Sequence, residues 1–322
     1  MNCLGIESTA HTFSVGVVDS EGNILANIKD MFKPPKGYGI EPSKAREHHE
    51  RVSDNLIEKA LSKADIEKPD LIAYSAGPGL PPSLLAGLNK TKELSKRWNV
   101  PVVEVNHCVA HLEIGRMVSG FKDPVMLYVS GGNTQVIAFQ NGKYRVFGET
   151  EDIGVGNFLD SFGRAAGFDF PAGPKIEALA KKSKNYIELP YSVKGMDISF
   201  SGMQTRLKRL LKKEKLEDLC FSLQETAFAM LVEISERAMA HTNKKELILT
   251  GGVAANKRLQ EMCKIMCKER GAKFKPLPIP LAGDNGAMIA WTGILSKGLS
   301  KKKNLDIYPK WRTDEVNVIW RK

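Results

Sequence analysis

The stretch CLGIESTAHTFSVGVVDSEGNILANIKDMF, residues 3–32, decides the fold. It predicts three strands, CLGIES, TFSVGVVD and NILANIKDMF, because apolar and β-branched residues fill each run and turn-forming residues separate the last two. A second meander of the same form, VMLYVSGGNTQVIAFQNGKYRVFGE, covers residues 125–149, with turns at Gly131-Gly132-Asn133 and Asn141-Gly142. The weak internal repeat predicts two similar lobes with a ligand site in the cleft between them.

The segments that follow each meander alternate between helical and strand patterns, which is α/β ordering. Strands are predicted at DLIAYS, VPVVEV and ELILT, and helices near residues 43–64, 83–98, from His107, 157–168, 175–183, 218–241, 254–269 and 284–297. We expect an N-terminal lobe over residues 1–124 and a C-terminal lobe over residues 125–303. The tail 304–322 carries Tyr308, Trp311 and Trp320, and it is expected to pack back on the first lobe.

The composition is that of an ordinary globular protein. Hydrophobic residues make up 42% and charged residues 26% of the 322 positions, which argues against disorder. No apolar run reaches the roughly 18 residues that a membrane span needs, and the start MNCLGIE lacks the layout of a signal peptide. The five cysteines have no zinc-ribbon spacing, so reduced thiols and a cytoplasmic location are expected.

A His-x-x-x-His pair, His107 and His111, follows the strand VPVVEV directly. Asn106 is a good helix N-cap, which places both histidines on one face of the first helical turns, at a spacing that can chelate a metal ion. The positive end of the helix dipole disfavours imidazolium, so both rings are predicted to be neutral. Cys108 stands where a zinc peptidase would have its Glu. Two histidines with unrelated structural hydrogen bonds are the alternative.

Four glycine-containing turns provide backbone amides that can face phosphate or carboxylate oxygens. They lie at residues 131–134, 154–157, 171–174 and 251–256. Asp160, Glu177 and Asn256 lie in or just after the last three turns, and Asn256 is expected to read an adenine or ribose edge. Ordinary hairpin turns, helix caps and solvated carboxylates are the alternatives. Asp284 begins a further helix, where an N-cap is the default reading and a metal ligand the alternative.

Basic residues exceed acidic residues, 47 to 37, which gives a formal charge of +10 and favours a polyanionic partner. They concentrate at Arg206, Lys208, Arg209, Lys212, Lys213 and Lys215, and again at Lys301, Lys302 and Lys303. Such clusters are usually solvated faces. With an RNA substrate they become candidate phosphate contacts.

Eight motifs occur in a fixed order along the chain: GIESTAHT, NHCVAH, YVSGGNT, GVGNFLD, PAGPKIE, SFSG, TGGVAAN and GDNGAMIA. Together they resemble the universal tRNA threonylcarbamoyladenosine synthase family in its archaeal form, from Leu4 to about Trp320. The resemblance implies a two-lobed fold of the actin-like ATPase, sugar kinase and Hsp70 type with duplicated lobes around a nucleotide cleft. It also implies an acyltransferase that is the catalytic subunit of the KEOPS complex, with a kinase subunit and small subunits as partners.

The reaction implied is transfer of threonylcarbamoyl from threonylcarbamoyl-AMP to the N6 amine of the adenosine 3' of the anticodon, in tRNAs reading codons that begin with adenine. The cofactors implied are one divalent metal, with iron favoured and zinc possible, and ATP or threonylcarbamoyl-AMP. No general base is identified. An ATP-dependent kinase or ATPase of the same fold, or a nucleotide-sensing scaffold subunit, is the alternative function.

The resemblance carries metal ligands onto His107, His111, Tyr128 and Asp284, and because it places the last two in the second lobe, it predicts a site between lobes. The nucleotide contacts that it implies are Tyr128, Val129, Ser130, Gly131, Gly132, Asn133, Thr134, Asp160, Gly173, Glu177 and Asn256. The tRNA contacts are expected at Arg206, Lys208, Arg209, Lys212 and Lys213.

Overall fold

The computed structural model describes residues 1–35, 38–300 and 304–321. The chain divides into two compact units. The first contains Met1–Val118, Asn141–Tyr144 and Asp284–Lys322, and the second contains Ser119–Gln140 and Arg145–Gly283. This division differs from the sequence prediction, which ended the first lobe at residue 124 and assigned 284–303 to the second.

The first unit is built on a five-stranded sheet of order β3-β2-β1-β4-β5. Its elements are β1 (Asn2–Glu7), β2 (Thr12–Asp19), β3 (Ile24–Met31), α1 (Pro42–Ala64), β4 (Leu71–Gly77), α2 (Pro81–Trp98), β5 (Val102–Asn106) and α3 (His107–Ser119). The first three strands pair antiparallel as the predicted meander, and β4 pairs parallel with both β1 and β5. The carboxyl ends of β1 and β5 therefore lie at the same edge of the sheet.

The second unit is built on a sheet of order β12-β11-β6-β7-β8. Its elements are β6 (Val125–Val129), β7 (Thr134–Gln140), β8 (Lys143–Glu149), α4 (Val155–Ala165), α5 (Gly173–Ala180), β9 (Val193–Lys194), β10 (Asp197–Ile198), α6 (Ser201–Leu210), α7 (Leu216–Thr242), β11 (Glu246–Thr250), α8 (Lys257–Glu269), β12 (Lys273–Pro276) and α9 (Ile279–Ala282). The next helix, α10 (Gly286–Leu295), belongs to the first unit. β6 pairs antiparallel with β7 and parallel with β11.

Helix α10 explains why residues from 284 onward belong to the first unit. It packs on β1, β2 and β4, where glycines allow backbone to meet backbone. A Cβ at Gly5 would lie 2.2 Å from the Ala290 nitrogen, and a Cβ at Gly16 would lie 2.2 Å from the Ala287 nitrogen. Because such approaches exclude any side chain, these two glycines fix α10 against the first sheet.

Both predicted meanders are confirmed, as are the three strands DLIAYS, VPVVEV and ELILT. The basic segment that contains Arg206 was not predicted as a helix, yet it forms α6. β12 and the short α9 were also not predicted. The helix predicted near 254–269 begins only at Lys257, after a 3-10 turn over Gly252–Ala255, because the Asn256 side chain caps α8.

The tail lies against the first unit. The Tyr308 amide donates to the Ala76 carbonyl at 2.7 Å, and the Asn106 amide nitrogen donates to the Trp311 carbonyl at 3.2 Å. All five cysteines are buried and unbridged. Across the described residues, none of the helices has the length and apolar character that a membrane crossing requires.

Candidate metal centre and glycine turns

Helix α3 follows β5 without a loop, as the sequence predicts. The Asn106 Oδ1 atom accepts from the Val109 amide at 3.1 Å, which is an N-cap hydrogen bond. The cap brings His107 and His111 onto one face of the first two turns, with ring centroids 4.7 Å apart. Both side chains are buried, His111 completely.

Asp284 lies opposite the two histidines. Its Oδ1 atom is 3.6 Å from Nε2 of His107 and 3.4 Å from Nε2 of His111. The default prediction, that Asp284 caps the next helix, is wrong, because Asn285 is the N-cap and accepts from the Met288 amide at 3.0 Å. The Asp284 carboxylate is thereby left to face the histidines. The three side chains belong to the first unit, which differs from the predicted placement of Asp284 in the second lobe.

Glu7 is a residue of this site that the sequence reasoning missed. Its Oε2 atom accepts from the His107 Nδ1–H at 2.9 Å, and its Oε1 atom accepts from the Thr9 amide at 2.8 Å. Glu7 is completely buried at the end of β1. A carboxylate on Nδ1 fixes the ring and leaves Nε2 as the ligating nitrogen. The signal that would have identified it is its position at the carboxyl end of a strand parallel to β4 and β5.

The electrostatics differ between the two histidines. Burial by itself lowers the pKa of His107, but the charge and hydrogen bond of Glu7 and the charge of Asp284 raise it to about 9. Burial and the charge of His107 lower the pKa of His111. Burial opposes ionisation of Asp284, yet the His111 hydrogen bond and the nearby histidine charges hold the pKa of its carboxyl well below its usual range. The pKa of His111 is thus shifted in the direction of the predicted neutral ring, whereas the nearby carboxylates of Glu7 and Asp284 shift the pKa of His107 in the opposite direction.

The donor set fits a divalent transition metal. Two imidazole nitrogens and one carboxylate oxygen, all within 4.8 Å of one another, form the candidate metal cluster found among the described residues. Nitrogen and oxygen donors of this kind suit iron or zinc, and a carboxylate behind one histidine is the usual outer support of such sites. Tyr128, buried in β6 of the second unit, stays a predicted fourth ligand.

Two of the glycine turns, at residues 131–134 and 251–256, lie at the carboxyl ends of β6 and β11. These strands are parallel neighbours, with Thr250 opposite Tyr128. Gly132 and Gly252 are exposed, and a Cβ on either would meet no atom within 4 Å. Gly251 has φ +95, and a Cβ there would lie 2.2 Å from the Val129 carbonyl oxygen. Ligands bind at such strand ends in open α/β sheets, so this edge is the candidate nucleotide site.

The turn at 154–157 does not offer its amides to a ligand, contrary to the prediction. The Gly156 amide donates to the Ser130 carbonyl at 3.0 Å and the Asn157 amide to the Gly131 carbonyl at 3.0 Å. The Val155 amide donates to the Thr134 hydroxyl at 2.7 Å. The start of α4 therefore holds the turn at 130–134 in place, because oxygens of that turn accept hydrogen bonds from the amides at the N-terminus of the helix.

The predicted carboxylate and amide contacts each have protein partners. Asp160 lies in the second turn of α4, and it accepts from the Ala172 amide at 2.8 Å just before Gly173 begins α5. Glu177 pairs with Lys181 at 2.9 Å. The Asn256 oxygen caps α8, and its amide nitrogen donates to Gln224 at 2.7 Å. Their contacts with a nucleotide stay predictions.

The predicted basic cluster lies on α6 and in the turn that follows. Arg206, Lys208, Arg209, Lys212 and Lys213 are all exposed, and no carboxylate of the described residues pairs with them. The Asp152 carboxylate accepts hydrogen bonds from the amides of Phe200 and Ser201 at the start of this helix, a contact that was not predicted. Lys301, Lys302 and Lys303 lie outside the described residues.

Comparison with known proteins gives one family. The family model of tRNA N6-adenosine threonylcarbamoyltransferase matches residues 22–291. A protein of that name from Thermococcus kodakarensis is 54% identical over 99% of this chain and 100% of its own length. The Methanocaldococcus jannaschii protein called a probable bifunctional tRNA threonylcarbamoyladenosine biosynthesis protein is 52% identical, and the chain covers 61% of it.

Solved structures with little sequence similarity share the fold. HypF in its phosphate- and nucleotide-bound form matches 92% of this chain and 46% of its own, at a TM-score of 0.64 and 12% identity. Component A of (R)-2-hydroxyglutaryl-CoA dehydratase from Acidaminococcus fermentans matches 92% of this chain and 99% of its own, at a TM-score of 0.58 and 14% identity. The fold is of the actin-like ATPase type, as predicted.

Proposed function

Because the chain belongs to the tRNA N6-adenosine threonylcarbamoyltransferase family, we propose that it transfers threonylcarbamoyl from threonylcarbamoyl-AMP to the N6 amine of the adenosine 3' of the anticodon. The tRNAs modified would be those that read codons beginning with adenine. The single observation that carries the proposal is the convergence of His107, His111 and Asp284 within a chain that matches a named transferase along its whole length.

The reaction forms one bond and breaks one. The N6 nitrogen attacks the carbonyl carbon of the threonylcarbamoyl group, the bond from that carbon to the phosphate oxygen breaks, and AMP leaves with the electron pair. The amine loses one proton to solvent or to a base. An amine conjugated with its ring is a weak nucleophile, so catalysis must come mostly from positioning and from stabilising charge at the carbonyl oxygen.

The residues that would hold a divalent metal are His107, His111 and Asp284, with Tyr128 as the proposed fourth ligand. A bound cation would supply Lewis-acid polarisation of an acyl oxygen. Glu7 accepts a hydrogen bond from Nδ1 of His107 and so orients the ring with its Nε2 atom facing Asp284. Family likeness favours iron, with zinc as the second candidate.

The adenylate, or ATP, would bind at the carboxyl edge of the second sheet. Gly131, Gly132 and Gly252 are exposed there, which lets a ligand approach the backbone closely. The residues proposed to complete the contacts are Tyr128, Val129, Ser130, Asn133, Thr134, Asp160, Gly173, Glu177 and Asn256.

The proposed partners are tRNA and the kinase and small subunits of the KEOPS complex. The exposed cations of α6 support a nucleic-acid contact, since each phosphate neutralised releases counterions. Single-stranded anticodon-loop RNA presents phosphates that such a basic surface can contact. A tRNA substrate also implies a cytoplasmic location.

The test supplies preformed threonylcarbamoyl-AMP and tRNA to the purified chain, with and without the partner subunits, and measures the modified nucleoside by mass spectrometry after digestion. The expected result is modified adenosine, lost in His107→Ala and His111→Ala and retained in His241→Ala, a histidine on α7 that contacts Phe147. Absence of product under both conditions would overturn the proposal. ATP hydrolysis without transfer would favour a kinase or ATPase of the same fold.

A further inference from the structure

Helix α3 carries a buried carboxylate in addition to its two histidines. Glu113 is 1% exposed and accepts three hydrogen bonds. The Tyr144 hydroxyl donates to its Oε1 atom at 2.6 Å, the Trp320 indole nitrogen donates to the same atom at 2.8 Å, and Arg116 donates to Oε2 at 2.6 Å. Each donor comes from a different part of the first unit: the start of β8, the C-terminal tail and α3 itself.

Glu113 lies on the side of α3 away from the candidate metal ligands. Successive residues of a helix are rotated by about 100°, so Glu113 lies about 160° around the helix from His111 and about 120° from His107. One face of α3 thus carries the two imidazoles, and the other is tied to the tail. The hydrogen bonds to Glu113 therefore restrain the rotation of the helix about its axis, in addition to the N-cap at Asn106 and the packing of the buried apolar residues of α3.

The tail end of this network is itself supported. The Arg321 guanidinium donates to the Tyr144 oxygen at 3.3 Å and lies over the Tyr144 ring, 5.5 Å from its centroid. Burial and the Glu113 charge raise the pKa of Tyr144, so its hydroxyl remains a donor to the carboxylate. Trp320 and Arg321 therefore hold both sides of the Tyr144–Glu113 contact.

A buried carboxylate is a costly way to hold a helix, since an apolar side chain could fill the same volume. What a carboxylate adds is direction, because its oxygens accept hydrogen bonds only from correctly placed donors. A rotation of α3 by about 10° would move an imidazole nitrogen, about 6 Å from the helix axis, by about 1 Å. A shift of that size exceeds the tolerance of roughly 0.5 Å that a preorganised site allows.

We propose that Glu113 is a positioning residue for the metal site, and that the C-terminal tail, through Trp320, sets the orientation of His107 and His111 by holding Glu113. The proposal rests on the proposed function, because it assumes that the two histidines and Asp284 bind a metal. It gives Trp320, at the end of the tail, a role in positioning the metal ligands, although this residue is far along the chain from both histidines.

The test titrates the full-length chain with Co²⁺ and records its affinity and its visible absorption, which reports ligand geometry. Trp320→Phe removes the indole donor and keeps an aromatic ring. Trp311→Phe is the matched control, because Trp311 lies in the same tail but packs on the core and against Tyr308. Tyr144→Phe and Glu113→Gln are the second and third variants, and thermal unfolding is measured for all of them.

Trp320→Phe and Tyr144→Phe are each expected to weaken Co²⁺ binding about tenfold and to change the spectrum. Trp311→Phe is expected to lower Tm with affinity and spectrum unchanged. Wild-type affinity and spectrum in folded Tyr144→Phe and Glu113→Gln would overturn the positioning role. If His107→Ala binds Co²⁺ as well as the wild type does, the proposed metal site itself fails, and the positioning role fails with it.

Discussion

Glu7 Oε2 lies 2.9 Å from His107 Nδ1, although the two residues are 100 positions apart in the chain. The contact exists because β1 and β5 both run parallel to β4, so that their carboxyl ends reach the same edge of the sheet. It gives the ring one tautomer, with the proton on Nδ1 and the lone pair on Nε2, when His107 is neutral. Against the effect of burial, this contact and the charge of Asp284 together raise the pKa of His107 to about 9, so below that pH a metal would displace a proton in order to bind.

Glu7→Gln should lower the pKa of His107 toward its ordinary value, by about one unit or more, because the amide keeps the shape of the side chain and removes its charge. Imidazole NMR titration of the protein without added metal measures this value. Zinc affinity should fall by about 10- to 100-fold, as for other losses of an outer carboxylate. Glu47→Gln, an exposed position on α1, is the control and should leave both quantities unchanged. An unaltered His107 pKa in Glu7→Gln would show that Glu7 does not control this ring.

Gly251 and Gly252 are neighbours that should respond differently to the same substitution. Gly251→Ala places a Cβ 2.2 Å from a carbonyl oxygen at a positive φ, so it should destabilise the protein by more than about 2 kcal/mol. Gly252→Ala meets open space, so Tm should not change, yet its methyl group would lie where a nucleotide is proposed to bind. Thermal unfolding and calorimetric titration with ATP measure the two effects, and we expect Gly252→Ala to bind ATP about tenfold more weakly. Full ATP affinity in Gly252→Ala would remove this turn from the nucleotide site.

Lys212 and Lys213 follow α6 in the exposed basic cluster. Replacing both with Glu should weaken tRNA binding and lower the slope of log affinity against log salt by about two, one for each phosphate that is no longer neutralised. Lys264→Glu with Lys268→Glu on α8 changes the net charge equally at exposed positions outside the cluster. Filter binding at several salt concentrations separates the cases. Equal slopes for the two double variants would mean that net charge, and not this cluster, attracts tRNA.

The strands and helices were largely predictable, because they follow local patterns, and the family resemblance supplied the type of fold. Each meander consists of adjacent strands joined by short turns, and the amphipathic helices have helical periodicity. What could not be predicted depends on contacts between distant segments. The assignment of residues 284–303 to the second lobe followed chain order, whereas α10 packs on the first sheet, where Gly5 and Gly16 allow its close approach. The pattern of apolar residues within α10 does not indicate which of the two sheets the helix packs against.

The candidate site was predictable in part for the same reason. His107, His111 and their cap at Asn106 lie within six residues, so spacing alone identified them. The helix pattern offered Asp284 as a metal ligand only as the alternative to an N-cap, and the family resemblance then favoured the ligand. Glu7 was missed because its partner is 100 positions away. The amides at 154–157 look free in the sequence, yet the turn at 130–134 uses them. Whether these amides donate to a ligand or to the protein's own oxygen atoms depends on tertiary contacts.

A second histidine pair, His48 and His49 on α1, gives the protein a separate pH dependence. His49 is completely buried, and its Nε2–H donates to the Ala10 carbonyl at 3.0 Å. Its Nδ1 atom lies 3.3 Å from Nδ1 of His48, whose Nε2 atom is 2.8 Å from Asp30. Burial, with the charge of His48, lowers the pKa of His49 to about 4, while the Ala10 hydrogen bond opposes the shift only partly.

His49 should therefore make the folded state less stable in mild acid. The unfolded chain binds a proton at this histidine near pH 6.5, and the folded chain does so only near pH 4. The contribution of His49 to the unfolding free energy is thus complete above about pH 6.5 and is lost as the pH falls toward 4. His49→Gln keeps a donor for Ala10 and cannot titrate, so between pH 7 and pH 5 the wild type should lose about 2 kcal/mol more unfolding free energy than this variant. Urea unfolding at both pH values measures the difference, and parallel losses in the two proteins would show that His49 titrates normally in the fold.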